Sequence, residues 1–111
     1  MTDSVVIALS TCADEPTAAG IAKALVAEGL ATCVNRVSAV RSTYLWDGSL
    51  HDDAEILLVI KTTQRQLAGI EARFKDLHPY ELPELVAITA AGGSERYLDW
   101  IRRGVQSKGT I

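Results

Sequence analysis

The alternation of apolar and polar residues divides the first third of the chain into one strand, one loop and one helix. A β-branched run over residues 5–9 is typical of a buried strand, and residues 10–13 are expected to form a loop. Asp14 or Glu15 can cap the helix that follows, and Gly29 is placed to end it in the left-handed conformation. The helix presents a single apolar stripe: Ala18, Ile21, Ala22 and Leu25.

The middle of the chain predicts strands and a long hairpin. Strands are expected over about residues 30–37 and 40–46, and a return strand over 55–61. Asp47-Gly48 is a strong hairpin signal. The alternation places one set of residues on a single face of the strand before the turn: Val40, Ser42, Tyr44 and Trp46. A single small domain can hardly bury these aromatic side chains alone, so the pattern predicts self-association.

The last part of the chain predicts two helices separated by a strand. Thr63 and Gln66 match a capping box at the start of the first helix. Residues 85–90 are expected to form a buried strand, and Ser94 is expected to cap the final helix. The order β-α-β-β-α-β-α is typical of an α+β, ferredoxin-like (split βαβ) sandwich over residues 1–111 as a single domain. Both crossover helices then lie on one sheet face, and the final helix covers only part of the other.

Composition and missing motifs argue against several classes of function. The chain has 111 residues, a formal net charge of −3 and two cysteines. This charge argues against a nucleic-acid surface, which needs clustered basic residues. Neither a signal peptide nor an apolar segment of about 20 residues is visible, so we expect a cytoplasmic protein that does not enter a membrane. The sequence contains no P-loop, G-x-S-x-G or G-x-G-x-x-G motif, which favours a function other than catalysis.

The richest chemistry lies in residues 78–84, His-Pro-Tyr-Glu-Leu-Pro-Glu, which we call the connector. Its two prolines restrict the backbone, so its titratable groups are expected to be held in position. His78 could bind a transition metal, or it could form local hydrogen bonds as a surface or interface residue. Glu84 could act as a ligand or as a base, or it could form an ion pair with Lys61 or an arginine, within the chain or across a subunit boundary.

The cysteines and aromatic residues have two interpretations each. Cys12 is expected in the loop after the first strand, and Cys33 in the middle of a strand. Cys33 could face a cleft between subunits, or it could be a small buried apolar residue. The aromatic side chains could line a cleft or pack at a subunit interface, and four are candidate interface residues: Tyr44, Trp46, Tyr80 and Trp100.

Several segments together resemble the CutA family, the divalent-cation tolerance proteins. They lie in order along nearly the whole chain: residues 30–35, 42–48, 55, 61–62, 78–84 and 97–101. The resemblance implies a ferredoxin-like subunit in a compact homotrimer, with long hairpins that wrap onto neighbouring subunits. It also implies an architecture similar to that of PII signalling proteins, a link to tolerance of copper and other divalent cations, and no established enzymatic activity.

The resemblance also bears on the metal ligands. Some family members carry a cysteine in the first loop and a His-His pair before the connector proline, and these have been taken as copper ligands. Here Ser10 occupies the aligned loop position, Cys12 lies two residues on, and Leu77 precedes His78. We therefore expect only weak binding of copper or another divalent cation, with four candidate ligands: His78, Cys12, Cys33 and Glu84.

Two alternatives remain open at this point. The first is a PII-like sensor that binds a small anionic ligand between subunits. The second is a trimeric scaffold for a partner protein.

Overall fold

The computed structural model describes residues 3–109, with side chains to residue 105. The described elements follow one another along the chain in this order: β1 (Val5–Cys12), α1 (Glu15–Ala27), β2 (Cys33–Trp46), β3 (Ser49–Thr63), a 3₁₀ turn (Gln64–Gln66), α2 (Leu67–Leu77), β4 (Val86–Thr89) and α3 (Glu95–Gly109). This arrangement confirms the α+β, ferredoxin-like order β-α-β-β-α-β-α.

The four strands form one antiparallel sheet in the order β2-β3-β1-β4. Ala8, at the centre of β1, lies opposite Ile60 on β3 and Ala87 on β4. The two central strands are therefore β1 and β3, while β2 and β4 form the edges. An edge strand leaves backbone hydrogen-bonding groups available to another chain.

One face of the sheet packs against α1 and α2 and forms the core. Its buried members come from both layers: Ala8, Cys12, Ala18, Ile21, Leu25, Ala31, Ile56, Leu58, Ile60, Ile70 and Phe74. The opposite side, which we call the open face, carries apolar residues at the alternate strand positions: Ile7, Leu9, Val37, Leu57, Val59, Val86 and Ile88. Lys61 on this face donates to Tyr97 of α3, so the final helix covers only one part of it.

Several predicted helix ends are confirmed by their hydrogen bonds. The carboxylate of Asp14 accepts from the Thr17 amide at 2.8 Å, which satisfies one free N–H group at the start of α1. Gly29 adopts a φ of 74° just after the C-cap of α1, a conformation that favours glycine. Ser94 accepts from the Tyr97 amide at the start of α3.

The predicted capping box at Thr63 is wrong. Thr63 precedes the 3₁₀ turn, and its side chain makes no capping hydrogen bond to that turn. The side chain instead lies in the interior, where its hydroxyl has no partner among the described residues. Burial of Thr63 at the end of β3 therefore overrides the local capping pattern.

Two strand boundaries also differ from the prediction. β1 does not end at residue 9, because residues 10–12 continue to pair with residues 56–58 of β3. Cys12 therefore ends a strand instead of lying in a loop, and it is fully buried. Cys33 is the first residue of β2, not a mid-strand residue.

The strands predicted over 30–37 and 40–46 form one continuous strand with a β-bulge. The register with β3 shifts between Val37 and Val40, and Ala39 has a φ of 63°, unusual for a residue other than glycine. The Glu15 carboxylate of α1 accepts from Ser38 at 2.8 Å and lies 3.4 Å from the Arg36 guanidinium. Helix α1 therefore holds the bulge in place from one side.

The prediction that residues 85–90 form a buried strand is wrong for the isolated chain. All four residues of β4 are exposed, and Val86 and Ile88 expose 57% and 56% of their surfaces. The pattern correctly predicted an apolar strand but could not say what covers it.

Packing of α3 gives a first test. A Cβ atom at Gly104 would overlap the side chain of Thr32, whose hydroxyl donates to the Ile101 carbonyl. We expect Gly104→Ala to lower the free energy of unfolding by about 1–3 kcal/mol because Thr32 or α3 must move. Gly20→Ala is the matched control, since no described atom outside its own helical turn lies within 4 Å of its Cβ position in α1. The control is expected to be neutral or slightly stabilising in chemical denaturation, and equal effects of the two substitutions would contradict the packing.

Candidate functional site

A cleft of about 640 Å³ lies between the β2–β3 hairpin and the connector, which we call the hairpin cleft. Its lining comes from β1, β2, β3 and the connector: Thr11, Ser42, Thr43, Tyr44, Trp46, Glu55, Tyr80, Glu81, Leu82 and Glu84. The volume is in the range of small-ligand sites. The long hairpin supplies one wall because Asp47-Gly48 makes a tight turn with both φ angles positive.

The lining of the hairpin cleft is acidic. Three carboxylates line it, Glu55, Glu81 and Glu84, and none of its described lining residues is basic. Glu81 and Glu84 are exposed, whereas Glu55 is buried at the base of the hairpin. The field in the cleft therefore favours a positively charged ligand.

Glu55 and Tyr80 form a short hydrogen bond at the buried end of the cleft. The Tyr80 hydroxyl donates to Oε2 of Glu55 at 2.5 Å. The pKa of Tyr80 is raised, mainly by burial and to a smaller extent by this bond to the carboxylate. The phenol therefore keeps its proton at neutral pH. The bond joins the connector to β3 and fixes the position of the Tyr80 ring.

His78, the first residue of the connector, is held in place by hydrogen bonds. The Tyr80 amide donates to Nδ1 of His78 at 3.2 Å, so Nε2 carries the proton and donates to the Thr11 carbonyl at 2.8 Å. The imidazole is 6% exposed and contacts the rings of Phe74 and Tyr80. In this arrangement neither ring nitrogen has a free lone pair, and a metal-binding role of His78 stays a prediction.

The remaining candidate ligands are dispersed within one chain. Burial raises the pKa of the Cys12 thiol, and its sulfur lies 3.9 Å from the Asp14 carbonyl. Cys33 lies opposite Lys61 on β3, whereas Cys12 lies opposite Ile56. Because the partner positions are five residues apart, the two thiols lie on opposite faces of the sheet.

Glu84 lies in the lining of the hairpin cleft. Within the described part of the chain, Lys61 contacts the Tyr97 hydroxyl at 3.3 Å and forms no ion pair with Glu84. Among the side chains that the structure describes, no cluster of three or more His, Cys, Asp or Glu residues has a metal-binding arrangement.

Three of the four candidate aromatic residues lie together in the cleft. Tyr44, Trp46 and Tyr80 line it, and Tyr44 donates to Asp53 at 2.7 Å while its ring stacks on His51. Trp100 instead lies on α3 and contacts Tyr97. The structure therefore separates Trp100 from the other three.

Sequence reasoning did not select Glu55 or Thr11 as site residues. Glu55 begins an apolar run, and a charged residue at such a position was the available signal. Its partner, Tyr80, comes from the connector 25 positions later. That contact depends on the tertiary fold and has no local pattern.

Comparison with known proteins gives the same family from sequence and from structure. The sequence profile of the family described as CutA1 divalent ion tolerance protein matches residues 6–104. A Thermus thermophilus protein named divalent-cation tolerance protein CutA is 47% identical over 96 residues, which cover 86% of this chain and 93% of that protein. Human protein CutA is 36% identical over 104 residues, covering 94% of this chain but only 58% of the human protein.

A solved structure from Thermus thermophilus, described as a divalent cation tolerance protein (Cut A1), superposes with a TM-score of 0.88. It is 45% identical, and the match covers 90% of this chain and 97% of that one. The extent of these matches and the shared fold lead to one conclusion: the chain belongs to the CutA1 divalent ion tolerance protein family.

Proposed function

We propose that the protein is a divalent-cation tolerance protein that works as a homotrimer and binds copper or another divalent cation weakly at clefts between subunits. The observation that carries the cation preference is the lining of the hairpin cleft, with three carboxylates and no basic residue among its described members. We place the protein in the cytoplasm and assign it a binding function rather than catalysis. No helix in the part of the chain that the structure describes has the length and apolarity needed to span a membrane.

Weak binding follows from the state of the candidate ligands. The carboxylates of Glu81 and Glu84 are exposed, so a cation that they bind keeps much of its water. The nitrogens of His78 already make hydrogen bonds, and the thiol of Cys12 is buried and protonated. A tight copper site needs soft or imidazole ligands that are free to coordinate.

Assembly is supported by apolar surface that the chain does not cover itself. Leu45 and Leu50, next to the hairpin turn, expose 71% and 73% of their surfaces. Val86 and Ile88 add exposed apolar area on the open face beside the free edge of β4. An apolar face next to an unpaired strand edge is typical of a surface that is buried in an oligomer.

The charge of the hairpin cleft counts against the alternative of a small anionic ligand. An anion in this cleft would lie near Glu55, Glu81 and Glu84 without a compensating basic side chain from the described lining. Like charges repel, so anion binding in this cleft would require basic residues from a neighbouring subunit. The scaffold alternative predicts that removing the cleft carboxylates leaves cation binding unchanged.

Isothermal titration with Cu²⁺ and Zn²⁺ tests the cation site. We expect the double variant Glu81→Gln/Glu84→Gln to bind about three- to tenfold more weakly, since two exposed charges each contribute a fraction of a kcal/mol to about 1 kcal/mol. Glu95→Gln, at the start of α3 and outside the cleft lining, is the matched control and should bind like the wild type. Equal affinities of the double variant and the control would exclude the cleft as the cation site.

A further inference from the structure

Glu55 is the only Asp or Glu among the buried residues that the structure describes. Glu55 is only 7% exposed, and no basic side chain among the described residues forms an ion pair with it. Its Oε2 atom accepts from Tyr80. Among the described residues the buried side-chain oxygens without a partner are those of Ser10 and Thr63, so Oε1 of Glu55 is open to the cleft. A buried carboxylate is costly unless a positive group or several donors compensate it. Among the described residues only the Tyr80 phenol compensates Glu55, and the rest of its solvation comes from the cleft.

The surroundings of Glu55 show what a group bound to its carboxylate would contact. Glu55 lines the hairpin cleft, so the group opens into a cavity of about 640 Å³ rather than into the sealed core. Tyr44 and Trp46 line the same cavity and remain 40% and 43% exposed. Aromatic faces beside a carboxylate attract cations that also carry apolar surface.

We propose that the hairpin cleft binds a small organic cation, a primary amine attached to a flat apolar body, with its ammonium group on Oε1 of Glu55. The apolar body lies against Tyr44 and Trp46, and Glu81 and Glu84 increase the local concentration of cations at the entrance. This ligand class goes beyond divalent cations and does not depend on their binding.

The geometry favours an ammonium group over a metal ion at Glu55. Because the Tyr80 phenol already uses one lone pair of Oε2, bidentate binding of a metal ion by Glu55 is disfavoured. A divalent cation such as Ca²⁺ or Mg²⁺ needs about six oxygen ligands, and burial would remove the waters that supply them. An ammonium group has three N–H donors, tolerates aromatic neighbours and is satisfied by one strong acceptor with water or hydroxyl groups. Ser42 and Thr11 supply hydroxyl groups in the same lining.

A matched pair of probes tests the charge requirement on the unmodified protein. 2-Phenylethylamine is cationic at neutral pH, and 2-phenylethanol has nearly the same shape without the charge. By isothermal titration we expect the amine to bind at least about tenfold more tightly than the alcohol, since a charged hydrogen bond is roughly twice as strong as a neutral one. Equal binding of the two probes, or no binding of the amine at millimolar concentration, would overturn the proposal.

The variant Glu55→Gln tests whether Glu55 is the group that binds the ammonium. The amide retains the shape and an acceptor for Tyr80, and we expect it to reduce amine affinity about tenfold while leaving the alcohol unaffected. Glu95→Gln, outside the cleft, should retain wild-type affinity for the amine. Unchanged amine affinity in Glu55→Gln would contradict the proposal even if Cu²⁺ binding were confirmed.

A second result would identify a different occupant. If the amine fails to bind and Glu55→Gln weakens the oligomer, the partner of Glu55 is a basic side chain of a second copy, and the small-molecule proposal is wrong. Because the probe pair needs no variant, the proposal remains testable if Glu55→Gln does not fold.

Discussion

Replacing Ile88 with aspartate is expected to convert the proposed trimer into a monomer. Ile88 lies on the open face of the edge strand β4 and exposes 56% of its surface in the isolated chain. If that face is buried between subunits, an unpaired carboxylate there costs several kcal/mol at every copy of the interface. Size-exclusion chromatography with light scattering should show the mass of one chain in place of three.

Thr89→Asp is the matched control for this substitution. Thr89 is the next residue of the same strand, is also exposed, and points to the opposite side of the sheet. We expect it to leave the oligomer intact. A trimeric Ile88→Asp variant would show that the open face is not the assembly surface, and a monomeric wild-type protein would exclude the trimer itself.

Replacing His78 with alanine is expected to lower the free energy of unfolding by on the order of 3 kcal/mol. The substitution removes hydrogen bonds to the Thr11 carbonyl and the Tyr80 amide and leaves a cavity beside Phe74. Chemical denaturation at fixed protein concentration measures the loss. Because both nitrogens of His78 are engaged, we expect cation affinity to change little in the folded variant.

His51→Ala is the control, since the sequence has two histidines and His51 is only partly buried, stacked on Tyr44 in the hairpin. Its loss should be below about 1 kcal/mol, as for most partly exposed sites. The structural role of His78 would be contradicted by a variant that retains wild-type stability but loses Cu²⁺ affinity.

The element order was predictable because the chain marks it locally. Asp14, Gly29 and Asp47-Gly48 end or begin elements through their own backbone and side-chain preferences. Such signals do not depend on the rest of the fold. The ferredoxin-like order then follows from the sequence of strands and helices.

The features that sequence analysis missed depend on distant contacts. Ala39 gives no local sign that it adopts a positive φ, so the bulge in β2 was interpreted as a break between two strands. The apolar residues of β4 indicate a strand, but the same pattern fits burial by its own chain or by another chain. The hydroxyl of Thr63 was assigned to a cap although tertiary packing buries it.

The candidate site was predictable in part. The connector was recognised as a rigid segment, and the structure shows that His78 and Tyr80 are held by hydrogen bonds. Local hydrogen bonding was one of the two interpretations of His78, and it describes the contacts observed within the chain. The burial of Glu55 could not be predicted in the same way, because it depends on Tyr80 in a segment that follows α2.

The extra residue at the bulge of β2 changes which alternate residues of the strand point to the open face. Val37 lies opposite Leu57 and Val40 opposite Glu55, so odd positions before the bulge and even positions after it point to the same side. Tyr44 and Trp46 thereby share a continuous surface with the open face. Ligand occupancy of the cleft and association of subunits then act on one surface, and each is expected to shift the equilibrium of the other.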